Sequence, residues 1–130
     1  MCDIRTFDIV PVSVNVYSLM PVGNNQLVAD MSRNPNGGYV LMMKYRESDS
    51  HEYQGLHRLE FTVPRTNVLG TEFNTAALEL VSAVERLLLK KGNSKALHLC
   101  LIWRLCLEQV RNYLVSQNHI QLALKLQGNQ

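Results

Sequence analysis

The segment SKALHLCLIWRLCLEQVRNYLV, residues 94–115, is a long apolar stretch of a kind found in membrane spans, core helices and partner-binding surfaces. Between residues 96 and 107 only His98 and Arg104 are polar. The segment is too short and too interrupted to span a bilayer, which needs about 20 apolar residues, and Arg104 would be costly at its centre. A helix capped by Ser94 instead presents one broad apolar arc that can cover a sheet. The arc contains Leu99, Trp103, Cys106, Leu107, Val110, Tyr113 and Leu114.

Three leucines of this segment, Leu97, Leu101 and Leu105, do not fit a helix that only covers a sheet. They lie on the side that also carries Arg104, Glu108, Arg111 and Asn112, where Glu108 can pair with Arg104. Either the first helix or the C-terminal segment covers them, or they contact another chain. A helix that is apolar nearly all round is usually buried on more than one side, and exposed apolar patches mark interfaces. The sequence therefore predicts an interface at Leu97, Leu101, Leu105, Glu108 and Asn112.

Four strands are predicted before the helices. The segment DIVPVSVNVYSLMPV, residues 8–22, alternates with period two and predicts one strand with a buried valine face. Turns at residues 23–25 and 34–38, rich in Gly and Asn, bound a second, weaker strand. Residues 39–46 form a third, central strand, and LHRLEFTVP forms a fourth that ends at Pro64. The residues expected inside are Val10, Val12, Val14, Val16, Leu59, Phe61 and Val63.

After residue 74 the apolar residues recur with the spacing of a helix. Asn74 is predicted to cap a helix that ends at Gly92, with an apolar row at Leu78, Val81, Val84 and Leu88. The tail HIQLALKL alternates again, which favours a C-terminal strand over continued helix. The chain is thus predicted to be one α+β domain over residues 1–130. It has a four-stranded antiparallel sheet (7–64), two helices on one sheet face (74–116) and a C-terminal strand (119–126).

Catalytic and metal-binding signatures are missing from the sequence. The four histidines do not have metal-ligand spacing, DSHE at residues 49–52 is typical of a solvated loop, and GxSxG, P-loop, GxGxxG and HExxH motifs do not occur. We therefore expect no enzyme, cofactor or metal. The odd count of three cysteines argues against a disulfide framework. It favours reduced thiols in a cytoplasmic protein without a signal peptide or a membrane span.

Nucleic acid is a second kind of partner that the sequence allows. The formal net charge of +2 is too small for strong long-range attraction to a polyanion, but a local patch on the sheet can bind RNA. Cationic side chains are predicted on the outward faces of the third and fourth strands, and Tyr17, Tyr39 and Tyr45 are candidate stacking platforms. An ordinary solvated sheet face is the alternative. The candidate nucleic-acid residues are Lys44, Tyr45, Arg46, Arg58 and Glu60.

Two segments resemble a known family. YVLMMKYRESDSHEYQGLHRLEFTVPR (39–65) resembles the central hairpin of single-stranded RNA phage coat proteins, and ELVSAVERLLLKKGN (79–93) resembles their first C-terminal helix. The resemblance implies an interlocked dimer, assembly into a shell, and a sheet that binds an RNA hairpin through Lys44, Arg46, Arg58 and Glu60. The chain departs from that pattern because TNVLGTEF (66–73) is too short for a further strand and because its second helix is long and apolar.

The sequence predicts a non-enzymatic, self-associating α+β interaction module that acts through the apolar helix surface. A small intracellular accessory or adaptor protein, viral in origin and homodimeric, fits this prediction. The alternatives are an RNA-binding, coat-like dimer that assembles into a shell, and a sheet-based nucleic-acid binder without assembly.

Overall fold

The computed structural model of the protein describes residues 7–35, 37–62 and 70–128, and it describes side chains as far as residue 117. Five strands are followed by two helices. The strands are β1 (Phe7–Ser13), β2 (Val16–Pro21), β3 (Leu27–Arg33), β4 (Gly38–Tyr45) and β5 (Gln54–Thr62). The helices are α1 (Thr71–Lys91) and α2 (Ser94–Gly128).

The strands form one antiparallel sheet in chain order, so each strand pairs with its neighbours in sequence. Helix α1 packs on β4 and β5, and α2 packs on β2 and β3. Side chains of β4 alternate accordingly: Leu41 and Met43 are fully buried beneath the helices, whereas Met42 and Lys44 on the opposite face are half-buried. The predicted α+β order of an antiparallel sheet followed by two helices is therefore confirmed.

The prediction of one strand across residues 8–22 is wrong. A turn at residues 14–15, where Asn15 has a φ of 59°, divides the segment into β1 and β2 and gives the sheet its fifth strand. No helix packs extensively on β1, which lies at the sheet edge. The predicted valine core is consequently wrong for Val10, Val12 and Val14, which are exposed, Val14 to 88%. The turns after β2 and after β3 are confirmed, with positive φ at Gly23 and Gly37.

Helix α1 buries the predicted row of apolar side chains, with Val81, Val84 and Leu88 fully buried. Gly92 ends it in the left-handed conformation, at φ 70°, and its N–H donates to the carbonyls of the last turn. The predicted N-cap is wrong, because α1 begins one turn earlier, at Thr71. Asn74 is instead buried, and its side-chain amide donates a 2.8 Å hydrogen bond to the Leu107 carbonyl.

Helix α2 continues through the tail that was predicted as a strand over residues 119–126. Asn93, not Ser94, caps its start by accepting from the Ala96 N–H at 3.1 Å. No Gly or Pro interrupts residues 94–127, and Ala, Leu, Gln and Lys in the tail are good helix formers. A helix once begun adds each further residue at little cost, so these preferences outweigh the alternating leucines.

Trp103 fixes α2 to the sheet. Its side chain is fully buried, and its indole N–H donates to the Leu27 carbonyl at 2.8 Å. The Phe7 ring lies 4.6 Å from the Trp103 ring, between centroids. One face of α2 is thus set in the core, and this orientation determines which of its residues remain outside.

Candidate interaction surface on helix α2

Two of the three leucines predicted at an interface are exposed. Leu101 is 50% exposed and Leu105 is 54% exposed, on a helix whose opposite face is fully buried. Leu97 is half-buried and packs against the core, so the alternative that the chain itself covers these leucines holds for Leu97. Of the predicted polar members, Glu108 is half-buried and Asn112 is exposed.

These residues belong to a longer row along the outside of α2, which we call the outer ridge. Its members are spaced alternately four and three residues apart, so they follow one side of the helix. All are exposed or half-exposed. The outer ridge consists of Ser94, His98, Leu101, Leu105, Glu108, Asn112 and Val115.

Arg104 is held by α1 and not by Glu108, contrary to the prediction. Its guanidinium forms an ion pair with Glu85, with a 3.1 Å contact from Nε to Oε1, and donates to the Ser82 hydroxyl at 3.1 Å. Among the described residues, the Glu108 carboxylate consequently has no ion pair. Arg104 therefore joins the two helices, while Glu108 stays available at the surface.

A groove lies on each side of the outer ridge. The α1-side groove has a volume of about 400 Å³ and contains Leu89, which is 65% exposed. The groove on the other side has a volume of about 510 Å³ and lies between α2 and the β2–β3 turn. A ridge of side chains with a groove on each side is a surface shape against which another helix can pack. The α1-side groove is lined by Glu85, Leu89, Ser94, Leu97, His98, Leu101 and Arg104.

The face of the sheet opposite the helices carries three of the five predicted nucleic-acid residues. Lys44 on β4 forms an ion pair with Asp30 of β3. Arg58 and Glu60 on β5 point the same way and lie 3.8 Å apart, from Nη1 to Oε2. Lys44 and Arg58 are thus each accompanied by a carboxylate, which reduces their attraction for phosphate.

The other two predicted nucleic-acid residues are placed differently. Tyr45 faces the helices in the core and donates to Glu47 at 3.3 Å; burial, with help from that carboxylate, raises the pKa of its hydroxyl. Arg46 follows the end of β4, donates to the Ser50 carbonyl at 3.3 Å and stacks over the Tyr53 ring. Tyr17 and Tyr39 also contact the helix-side core. The prediction of a tyrosine stacking platform beside Lys44 and Arg46 is wrong.

Metal-binding groups and cysteines are the remaining candidates for chemistry in the described part of the chain. No three His, Cys, Asp or Glu side chains there are grouped to hold a metal. Cys100 is free and buried, and burial raises the pKa of its thiol to about 12. Cys106 is disulfide-bonded, so the prediction of reduced cysteines is wrong for this residue. Within the described ranges, neither helix is long and apolar enough to cross a membrane.

Two features of the surface were missed by sequence reasoning. Leu89, which the sequence analysis did not single out, points outward beside the outer ridge. Its position one residue after Leu88 was the available signal, because both cannot face the sheet. The pair between Arg104 and Glu85 joins residues 19 positions apart and had no local signal.

Comparison with protein-family models, curated proteins and solved structures gives no significant match.

Proposed function

We propose that this chain is a non-enzymatic protein-interaction module that associates with itself through the outer ridge of α2. The observation that carries the proposal is the half-exposure of Leu101 and Leu105, on a helix that already buries Leu99, Trp103 and Leu107 in its own core. The inner face of α2 already supplies the apolar side chains that this helix buries in the core. Leu101 and Leu105 do not contribute to that core, and contiguous exposed apolar surface is typical of an interface.

Charge supports a contact with protein. The ridge and its two grooves carry both signs of charge in small number, and Arg104 is already paired with Glu85. An apolar centre with polar groups at its rim is the usual composition of a protein interface. A strongly basic surface, which nucleic acid would require, is not present on α2 among its described side chains.

The proposal is tested by the mass of the purified protein in solution. Leu101→Asp places a carboxylate at the centre of the ridge, and we expect sedimentation velocity to show loss of the associated species. Val14→Asp is the matched control, because Val14 is more exposed still but lies in the β1–β2 turn, at the other end of β2 from the groove beside Leu105. Equal association of both variants and the unchanged protein would contradict the proposal.

A coat-like, RNA-binding dimer is the second candidate function. The observation that favours it is the five-stranded sheet face without helices, on which Lys44 and Arg58 lie. Such a protein should purify as large particles with nucleic-acid absorbance at 260 nm, and Lys44→Ala with Arg58→Ala should lower the bound RNA. Particles without RNA, or RNA content unaffected by these changes, would remove this candidate. A sheet-based binder without assembly would instead carry RNA as a small species.

A further inference from the structure

We infer that the outer ridge pairs with the outer ridge of a second copy running antiparallel, with Leu101 facing the partner's Leu105. This inference rests on the proposed function and adds the orientation and register of the contact. It comes from the order of residues along the ridge, which is self-complementary when one copy is turned end to end.

The antiparallel pairing places leucine against leucine at the centre of the contact and complementary polar groups against each other on either side. A two-fold axis midway between Leu101 and Leu105 brings these two leucines together twice, as a closed isologous contact requires. On either side, His98 meets the partner's Glu108, and Ser94 meets the partner's Asn112. An imidazole N–H can donate to a carboxylate, and a hydroxyl and an amide can exchange hydrogen bonds. Each polar group of the ridge thus gains a partner of matching chemistry.

Other arrangements of the same two helices leave mismatches. A shift of one heptad in the antiparallel pair places Leu101 against Asn112 and Leu105 against Glu108, so apolar surface meets polar groups. A parallel pair places the two Glu108 carboxylates together, and like charges in contact are unfavourable. The antiparallel register centred between the leucines avoids both conflicts.

The shape of the surface beside α2 also fits the antiparallel register. The α1-side groove runs beside Ser94, His98 and Leu101, at the N-terminal half of α2. In the antiparallel pair this half receives the C-terminal half of the partner's ridge. Val115, which is half-exposed, then reaches past the start of the partner's α2 toward its α1 end, where Leu89 is exposed. Two further exposed apolar side chains are accounted for by this contact.

The contact area predicts a weak dimer. Residues 94–115 span about 33 Å at 1.5 Å per residue, and a strip one-third of the way around a 10 Å helix is about 10 Å wide. Each copy then buries about 350 Å², or about 700 Å² in total, which is below the usual size of a stable interface. We expect a dissociation constant in the micromolar range or weaker, so association should be followed to high protein concentration.

Charge reversal tests the register. His98→Glu sets two carboxylates against each other across the interface, and we expect it to weaken association at least about 10-fold. Adding Glu108→Lys should restore the affinity to within about 3-fold of the unchanged protein. Residues 98 and 108 lie about 15 Å apart on one helix, so this rescue must act between chains. His98→Glu with Glu79→Lys is the matched control, because Glu79 is an exposed residue of α1 and should give no rescue.

The outcomes separate this inference from the proposed function. Rescue by Glu108→Lys but not by Glu79→Lys supports the antiparallel register. If Leu101→Asp abolishes association but neither double variant is rescued, the ridge remains the interface and the register is overturned. If the unchanged protein stays a single chain at every concentration, the proposed function and this inference both fail.

Discussion

Replacing both exposed leucines of the ridge with glutamine should dissociate the protein without unfolding it. Leu101→Gln with Leu105→Gln keeps side-chain length and helix propensity nearly unchanged. Fully burying a leucine side chain contributes about 1.5–3 kcal/mol, and each of these leucines has about half of its surface left to bury. Four such side chains meet in a dimer, so the apolar contribution is about 3–6 kcal/mol.

That contribution corresponds to more than a 100-fold change in the dissociation constant, at 1.4 kcal/mol per factor of ten. Sedimentation equilibrium from about 1 μM to about 500 μM would measure it, since this range brackets the affinity expected of a small interface. Thermal unfolding of dilute samples should give the same midpoint for the variant and the unchanged protein, because surface substitutions usually change stability by less than about 0.5 kcal/mol.

Val12→Gln with Val14→Gln is the control for this experiment, because both valines are exposed at the end of β1 and in the β1–β2 turn, at the other end of β2 from the groove beside Leu105. Association of the leucine variant as strong as that of the unchanged protein would contradict an interface at Leu101 and Leu105. A loss of several kcal/mol of unfolding free energy by the dilute leucine variant would also contradict it, because the leucines would then belong to the core.

Four further predictions concern the fold that presents the ridge. Trp103→Phe removes the buried hydrogen bond to the Leu27 carbonyl and part of the packed ring, and should lower the free energy of unfolding in urea by about 2–4 kcal/mol. Asn74→Asp sets a carboxylate against the Leu107 carbonyl, and should lower the free energy of unfolding by about 2–4 kcal/mol at neutral pH. The loss should be smaller in acid, because a protonated carboxyl can donate to the carbonyl again. Urea unfolding at the two pH values measures this difference. The Cys100 thiol, whose pKa burial raises to about 12, should react with iodoacetamide at pH 9 much more slowly than an unfolded thiol. Because the unfolded thiol loses its proton at lower pH than the folded one, Cys100 should also make stability fall as pH rises from about 9 toward 12, an effect absent in Cys100→Ala.

The buried faces of the two helices were predictable from sequence because many apolar residues repeat with the helical period. Val81, Val84 and Leu88 on α1, and Leu99 and Trp103 on α2, are buried as the 3.6-residue period requires. The same projection placed Leu101 and Leu105 on the outer side. It could not show that Leu97 packs against the core, because that depends on how α1 and α2 lie together.

The sheet was less predictable because a short turn does not interrupt alternation. Valines at even positions continue from β1 through the turn into β2, and only Asn15, which tolerates positive φ, marks the reversal. Burial of those valines depends on whether a helix reaches the edge strand, which local sequence does not determine. Alternation did place Lys44, Arg58 and Glu60 on one face correctly. It could not indicate that β4 ends before Arg46.

Self-association is tested by the mass of the unchanged protein, measured by sedimentation equilibrium over rising concentration together with its absorbance at 260 and 280 nm. We expect the mass to approach twice the 14.8 kDa of one chain at high concentration, with the absorbance ratio of protein alone. A constant single-chain mass would contradict self-association. Large particles rich in nucleic acid would contradict the α2 interface as the main activity and favour the coat-like alternative.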